Sequence, residues 1–417
     1  MKTKALRLYG KNDVRIEEFD LPPIKENEIL AKVICDSLCM SSYKAIIQGE
    51  DHKRVPKNVA QNPIILGHEF AGEIVEVGAN WSKKYKAGQK FVVQPALNYK
   101  NSIDAPGYSF PYIGGCATYI IIPNQVMELG CLLPYSSETM FFGSLAEPYS
   151  CVIGSFKEMF HLLPNSHDHK MGVKENGHLA ILAGAGPMGL AAIDYIIHTD
   201  VKPKQVVVTD IDQNRLDYAK KYLTVEAAKQ HGIDLQYINT KNMKDEDLRD
   251  LTGGCGFDDV LVMAPVAELI QTGDKILATN GCLSFFSGPS NPDLRATINF
   301  YNIHYASTHF IGTVGGNSLD MIEAIEMSQV GKLNPAIMVT HVGGLNASKD
   351  ATLNLPNIPG GKKLIYTHID MELTAISEFA AKGKTDERYA QLAELIQENN
   401  GLWNEKAEQY LFKAFTN

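Results

Sequence analysis

Three short stretches of this 417-residue chain carry side chains able to do chemistry. Ser37-Leu38-Cys39-Met40-Ser41-Ser42 sets a cysteine among hydroxyls, and Gly67-His68-Glu69-Phe70-Ala71-Gly72-Glu73 sets an imidazole next to a carboxylate. Thiolate, imidazole and carboxylate are donor types that a catalytic zinc accepts, leaving a fourth position open for water or substrate. Taken singly, a buried cysteine is usually a small hydrophobe and a histidine a satisfied core or surface group. The third stretch, Gly184-Ala185-Gly186-Pro187-Met188-Gly189, fits G-x-G-x-x-G between the apolar run HLAILA and a helical segment. There the first glycine permits a tight turn, the second lets a pyrophosphate approach the backbone, and the third lets the helix pack closely; the helix N-terminus attracts phosphate charge. Asp210 ends the strand QVVVTD about 20 residues further on, where a carboxylate accepts hydrogen bonds from ribose hydroxyls. Such a carboxylate repels a 2′-phosphate, which favours NAD(H), while nearby Arg215 leaves NADP(H) as the alternative.

These residues need elements to position them. Residues 1–150 alternate short β-rich runs (KALRLYG, EILAKVICDSL, FAGEIVEVG, KFVVQPA, ATYIIIP) with Gly/Pro turns, which predicts a barrel-like β unit. Over 151–339 strands alternate with helices, with one helix through Met188 to His198 and another from Asn214 onward, which predicts a parallel, doubly wound α/β sheet. Residues 340–417 return to the first unit, with a loop-like stretch GGLNASKDATLNLPNIPGGKK, the run LIYTHI, and a polar amphipathic helical tail from about Glu387 to Phe415.

The motifs resemble those of the zinc-dependent medium-chain alcohol and polyol dehydrogenases. The resemblance is carried by Cys39-Met40-Ser41, GHEFAGEIVEVG, GGCATY from Gly114 to Tyr119, Ala146-Glu147-Pro148, GAGPMG and VVVTD, in family order from about residue 5 to 345. SLCMSSYKA, PALN and GYSFPYIGG look most like the bacterial sugar-phosphate members of the L-sorbose 1-phosphate reductase type. The resemblance implies a GroES-like β-rich catalytic domain with an inserted Rossmann domain. It implies one catalytic zinc on Cys39, His68 and Glu147, with Glu69 as the exchanging or second glutamate, and Ser41 hydrogen-bonded to the reacting oxygen. It also implies a homodimer or homotetramer.

Three departures from the family pattern matter. Pro95 to Gly115 contains no cysteine, so no structural zinc is expected. Ser42 stands where an Asp usually supports the imidazole ligand, so that support must come from elsewhere. Lys44 stands where a relay histidine is common, and proton delivery would use Lys44, water or a cofactor hydroxyl.

These parts together give metal-assisted hydride transfer to or from NAD(P)(H), and the resemblance implies a ketose phosphate or polyol phosphate as substrate, with reduction of L-sorbose 1-phosphate to glucitol 6-phosphate as the specific expectation. Lys44, Lys53 and Arg54 are the cations placed to meet a phosphate. An unphosphorylated polyol dehydrogenase, a zinc-free quinone or enoyl reductase and a non-catalytic nucleotide-binding module are the alternatives.

Composition narrows the partners. With 39 Lys+Arg against 48 Asp+Glu, a net charge of −9 disfavours nucleic acid. No apolar run reaches the roughly 18–20 residues of a membrane span, and MKTKALRLYG has no signal-peptide pattern. The seven cysteines are odd in number and dispersed, which fits reduced thiols and a cytoplasmic protein.

Overall fold

The computed structural model describes residues 1–416. The chain divides into two compact units: Met1–Glu147 with Met321–Gln329 and the chain from Pro335 onward, and Pro148–Asp320 with Val330–Asn334. A change in periodicity sets the sequence-based return at 340; in the structure part of the preceding helical segment, Met321–Gln329, already belongs with the first unit.

The first unit is built on a mixed eight-stranded sheet. At its centre Ile29–Ser37 pairs antiparallel with Phe70–Val77, Tyr119–Ile122 and Lys362–Tyr366. Its β-branched and apolar residues Ile29, Ala31 and Val33 join Phe70, Phe91 and Ile120 in one core cluster, each of the valine, isoleucine and phenylalanine side chains contributing about 1.5–3 kcal/mol by burial. The pairing register gathers the chemistry. Asp36 lies opposite Phe70, so the exit of one strand, leading to Cys39, meets the entrance of the next, preceded by His68 and Glu69. Leu364 lies opposite Ser37, and the Leu38 amide donates to the Lys363 carbonyl at 2.9 Å, which brings the start of Lys362–Tyr366 to the same edge.

The second unit is a six-stranded parallel sheet in the order Asp234–Asn239, Gln205–Asp210, His178–Leu182, Phe257–Val262, Leu277–Phe285, His309–Ile311. Val206, Val207 and Val208 are fully buried in succession, as parallel strands covered on both faces require. The helix after the glycine turn runs Pro187–His198, with proline in its first turn where the missing N–H costs nothing.

Two segments differ from the sequence reading. The stretch read as loop after Gly343 holds the helix Ser348–Leu353, and the next strand starts at Lys362. The helical tail is two helices, Glu387–Glu398 and Glu405–Phe415. Asn400 and Gly401 adopt positive φ and stop the first, and the Asn404 side chain accepts from the Ala407 amide to start the second.

Candidate active site

Cys39 caps the helix Met40–Gln48, whose first turns carry Ser41, Ser42 and Lys44. Ligand atoms of Cys39, His68 and Glu69 all lie within 4.8 Å of one another. Ser41 Oγ donates to Cys39 Sγ at 3.0 Å and lies 3.3 Å from His68 Nε2. Ser42 Oγ lies 3.4 Å from His68 Nδ1, so the imidazole contact expected from elsewhere comes from Ser42 itself, and Nε2 is left toward the donor cluster. Glu69 is committed elsewhere: both its oxygens take the Lys362 ammonium, at 2.6 and 2.5 Å, and Ser37 Oγ donates to it as well. Glu147, second residue of the helix Ala146–Lys157, lies outside the 4.8 Å group, yet its charge acts on Cys39, Tyr108 and Lys362.

The electrostatics follow from burial. Desolvation, then the Glu69 charge, pushes the Cys39 thiol up to about 12. Desolvation likewise lowers His68 to about 4, leaving a neutral imidazole with a lone pair to donate. Burial alone would lower the Lys362 ammonium, but the Glu69 carboxylate more than reverses that, and Glu69 is in turn held below the usual carboxylate range by Lys362 despite its own burial.

Tyr108 and Lys362 were not singled out in the sequence. Tyr108 Oη donates to Ser41 Oγ at 2.7 Å and lies 3.2 Å from His68 Nε2, with its ring 4.7 Å from the imidazole. His52 stacks on the same ring at 5.8 Å, and the Arg54 guanidinium sits 5.4 Å from its centroid. Arg54 Nε is buried with no hydrogen-bond partner among the described residues. Burial, then Arg54, Lys53 and Lys44, lowers His52 to about 4, while Lys44 is lowered by burial and by Lys53. All three cations named from the sequence act on His52, which stacks on Tyr108, and Arg54 itself lies over the Tyr108 ring. The available signals were GYSFPYIGG for Tyr108 and, for Lys362, a lysine pair entering an apolar strand, where both lysines are buried.

In the second unit a cavity of about 510 Å³ is lined by Gly186, Pro187, Met188, Gly189, Asp210 and Arg215, among others; Gly184 lies behind them in the turn. A Cβ at Gly189 would stand 2.0 Å from the Gly184 carbonyl oxygen, whereas one at Gly186 would meet nothing within 4 Å. The third glycine thus packs helix on turn, and the second leaves open space where a pyrophosphate would approach. Asp210 is held by amides: Oδ1 accepts from Ile211 and Asp212 at 2.8 and 3.0 Å, and Oδ2 from Ala185 at 3.3 Å. Arg215 is exposed, 3.8 Å from Asp212.

Two family models match this chain, an alcohol dehydrogenase GroES-like domain over residues 25–130 and a zinc-binding dehydrogenase over 187–329. The chain is 47% identical over 416 residues to mannitol-1-phosphate 5-dehydrogenase of Aliivibrio fischeri, spanning 99% of this chain and 98% of that one. It is 46% identical over 409 residues to L-sorbose 1-phosphate reductase of Klebsiella pneumoniae, spanning 98% and 97%. Its fold is similar to that of galactitol-1-phosphate dehydrogenase from Escherichia coli, with a TM-score of 0.67 at 20% identity over 87% of this chain and 99% of that one.

Proposed function

This chain belongs to the zinc-type medium-chain dehydrogenases, an NAD(P)-dependent oxidoreductase family, and from that premise we propose that it interconverts a ketose phosphate and a polyol phosphate. The specific reaction is reduction of L-sorbose 1-phosphate by NADH and a proton to glucitol 6-phosphate and NAD⁺. The observation that carries the phosphate is the Arg54 guanidinium over Tyr108, its buried Nε still lacking an acceptor, with Lys44 and Lys53 adding positive charge around the neighbouring His52. Two relatives of nearly full length are named for hexitol or ketose 1-phosphates, which supports the same substrate class. A dehydrogenase working on mannitol 1-phosphate through the same site is the second reading, favoured by the 47% identity to that enzyme.

The donor types fit zinc: Cys39 sulfur, His68 nitrogen and a Glu69 oxygen lie within 4.8 Å of one another at one edge of the sheet, and Glu147, outside that group, acts on Cys39 by its charge. Cys39, His68 and Glu147 would hold the ion, with Glu69 second because Lys362 and Ser37 occupy its oxygens. When bound, zinc would polarise the substrate carbonyl and the nicotinamide would supply the hydride. Ser41 hands a proton to the oxygen of the reduced carbon and is itself reprotonated through Tyr108, Lys44 or water. Asp210 favours NAD(H) because its fixed carboxylate accepts ribose hydroxyls and repels a 2′-phosphate. A homodimer or homotetramer is supported by the helix before the edge strand His309–Ile311, where Phe300, Tyr301 and Tyr305 are 72, 66 and 69% exposed. Every cysteine is free, which suits the reducing cytoplasm, and no described helix is long and apolar enough to cross a membrane.

The test is a panel of ketose phosphates, hexitol phosphates and their unphosphorylated analogues, assayed with each nucleotide on protein of measured zinc content. Arg54→Ala should raise KM for the phosphorylated substrate about 10-fold or more, as expected for a charge-assisted contact of about 1.5–3 kcal/mol, with little effect on the analogue. An equal change for both would end the phosphate role. Full activity in metal-free protein would end the zinc reading.

A further inference from the structure

We infer that the C-terminal helical extension positions the metal-ligating residues, with Glu408 fixing the two backbone segments that deliver Glu147 and Lys362. The inference rests on the metal-site reading above. In EKAEQYLFKAF the buried positions Ala407, Glu408, Leu411 and Phe415 recur at helical spacing, so Glu408 is a carboxylate on the apolar face of Glu405–Phe415. A carboxylate so placed persists only with donors around it. Three are present: the Met140 amide donates to Oε2 at 2.8 Å, the Phe141 amide to Oε1 at 2.9 Å, and Tyr366 Oη to Oε1 at 2.7 Å. Trp403, fully buried, donates Nε1 to Tyr366 Oη at 2.9 Å.

Met140 and Phe141 open the short helix Met140–Ser144, whose N-cap Thr139 makes no side-chain cap bond. Glu408 therefore supplies, from far along the chain, the acceptor that this helix start lacks locally. The short helix is seated on the strands Ile29–Ser37 and Phe70–Val77. A Cβ at Gly143 would come 2.8 Å from that of Ala71, and Cys35 Sγ donates to Ser144 Oγ at 3.5 Å. After Leu145 the chain enters Ala146–Lys157, with Glu147 as its second residue, so any slip of the short helix is passed to Glu147 almost directly. On the other arm, Tyr366 ends the strand whose first residue, Lys362, holds Glu69. One carboxylate thus ties down both glutamates of the site without touching either. Glu408 is a positioning residue.

In Glu408→Gln the side chain keeps its shape, but its NH₂ must face one of the three donors, so at least one arm opens. The experiment compares full-length wild type, Glu408→Gln and Trp403→Phe for the Zn²⁺ dissociation constant by chelator competition, for Tm, and for kcat and KM. Expected is about a 10-fold loss of Zn²⁺ affinity in Glu408→Gln, the low end of the loss for a partner bonded directly to a ligand because Glu408 acts one step further back, with kcat lowered and nucleotide KM within twofold. Trp403→Phe should lower Tm yet keep Zn²⁺ affinity and kcat within twofold, because the cap on Met140 and Phe141 stays. Glu408→Asp, which keeps the charge but withdraws it by one methylene, serves in the same role should the glutamine variant not fold. Unchanged Zn²⁺ affinity in the Glu408 variants, beside a zinc-binding wild type, overturns the positioning role alone. Equal affinity losses in Trp403→Phe and Glu408→Gln at matched Tm overturn it too. A wild type that takes up no Zn²⁺ removes the metal reading and this inference together.

Discussion

Lys362→Met strips the Glu69 carboxylate of its ammonium partner while leaving it inside the protein. The two side chains are 6 and 2% exposed and meet at 2.5 Å. The Ser37 hydroxyl is the remaining donor to Glu69 among the described contacts, and a hydroxyl does not cancel a charge. Breaking such a pair from one side costs about 3–5 kcal/mol, because the survivor is a buried, uncompensated charge. At about 2–4 °C per kcal/mol for a unit of this size, Tm should fall by roughly 6–20 °C. Glu69→Gln combined with Lys362→Met removes both charges and should recover most of that loss, since a neutral pair of similar volume avoids the desolvation of either ion. Calorimetry on wild type, both single variants and the double variant, all stripped of metal with chelator, gives the coupling energy directly. A Lys362→Met protein as stable as wild type, or a double variant no better than the single, would refute the reasoning.

Removing the Tyr108 hydroxyl with Tyr108→Phe deletes its bond to Ser41 and keeps the ring under His52 and Arg54. The loss of one hydrogen bond of about 1–1.5 kcal/mol predicts a fall of about 5- to 13-fold in kcat, with KM for the sugar phosphate within twofold in steady-state assays; a raised KM at constant kcat would contradict it. A pH effect is expected in the second unit. The Asp194 carboxylate, 3.3 Å from His198 Nδ1, raises that imidazole above its ordinary value despite partial burial. The stability it contributes is therefore full below about pH 6.5 and is lost as pH rises through the folded-state value. Denaturant melts of wild type and His198→Asn should differ in slope above pH 6.5 and run parallel well above the transition; identical slopes throughout would exclude the pair as the source.

The parts of the site that were legible in the sequence are those whose chemistry is local. Gly184 to Gly189 forms its turn and helix start from six consecutive residues, and Asp210 follows one strand later. Cys39 and His68-Glu69 were legible as donor types, but their meeting depends on Asp36 pairing with Phe70, a register that no single stretch contains. Lys362 joins Glu69 across 293 residues, and Tyr108 reaches Ser41 across 67. Such contacts come from which strand lies beside which, so neither residue stood out. In the tail, the apolar spacing of Tyr389, Leu392, Leu395 and Ile396 marked the first helix, and the tail was read as helical through to Phe415 without the break between its two helices. The interruption was written in Asn399, Asn400 and Gly401, where left-handed backbone is cheap for asparagine and glycine, and then in the Asn404 cap.

Charge explains why a lysine belongs beside a set of anionic ligands. A thiolate, a neutral imidazole and one carboxylate carry −2 together, which balances a divalent cation. A second buried glutamate would bring the set to −3 and leave an anion without compensation in a poorly solvated place. Lys362 returns the sum to −2 by taking both oxygens of Glu69, which under the proposed ligand set leaves Glu147 as the carboxylate for the ion. The same arithmetic bears on the paired variant: Glu69→Gln with Lys362→Met leaves the sum at −2, so it should hold zinc nearly as well as wild type. Lys362→Met alone places an unpaired carboxylate at the site, which can enter the ligand set in competition with Glu147. The single and double variants therefore separate the stability of the pair from the second effect expected of it under the proposed ligand set, which is to leave Glu147 rather than Glu69 free to bind metal.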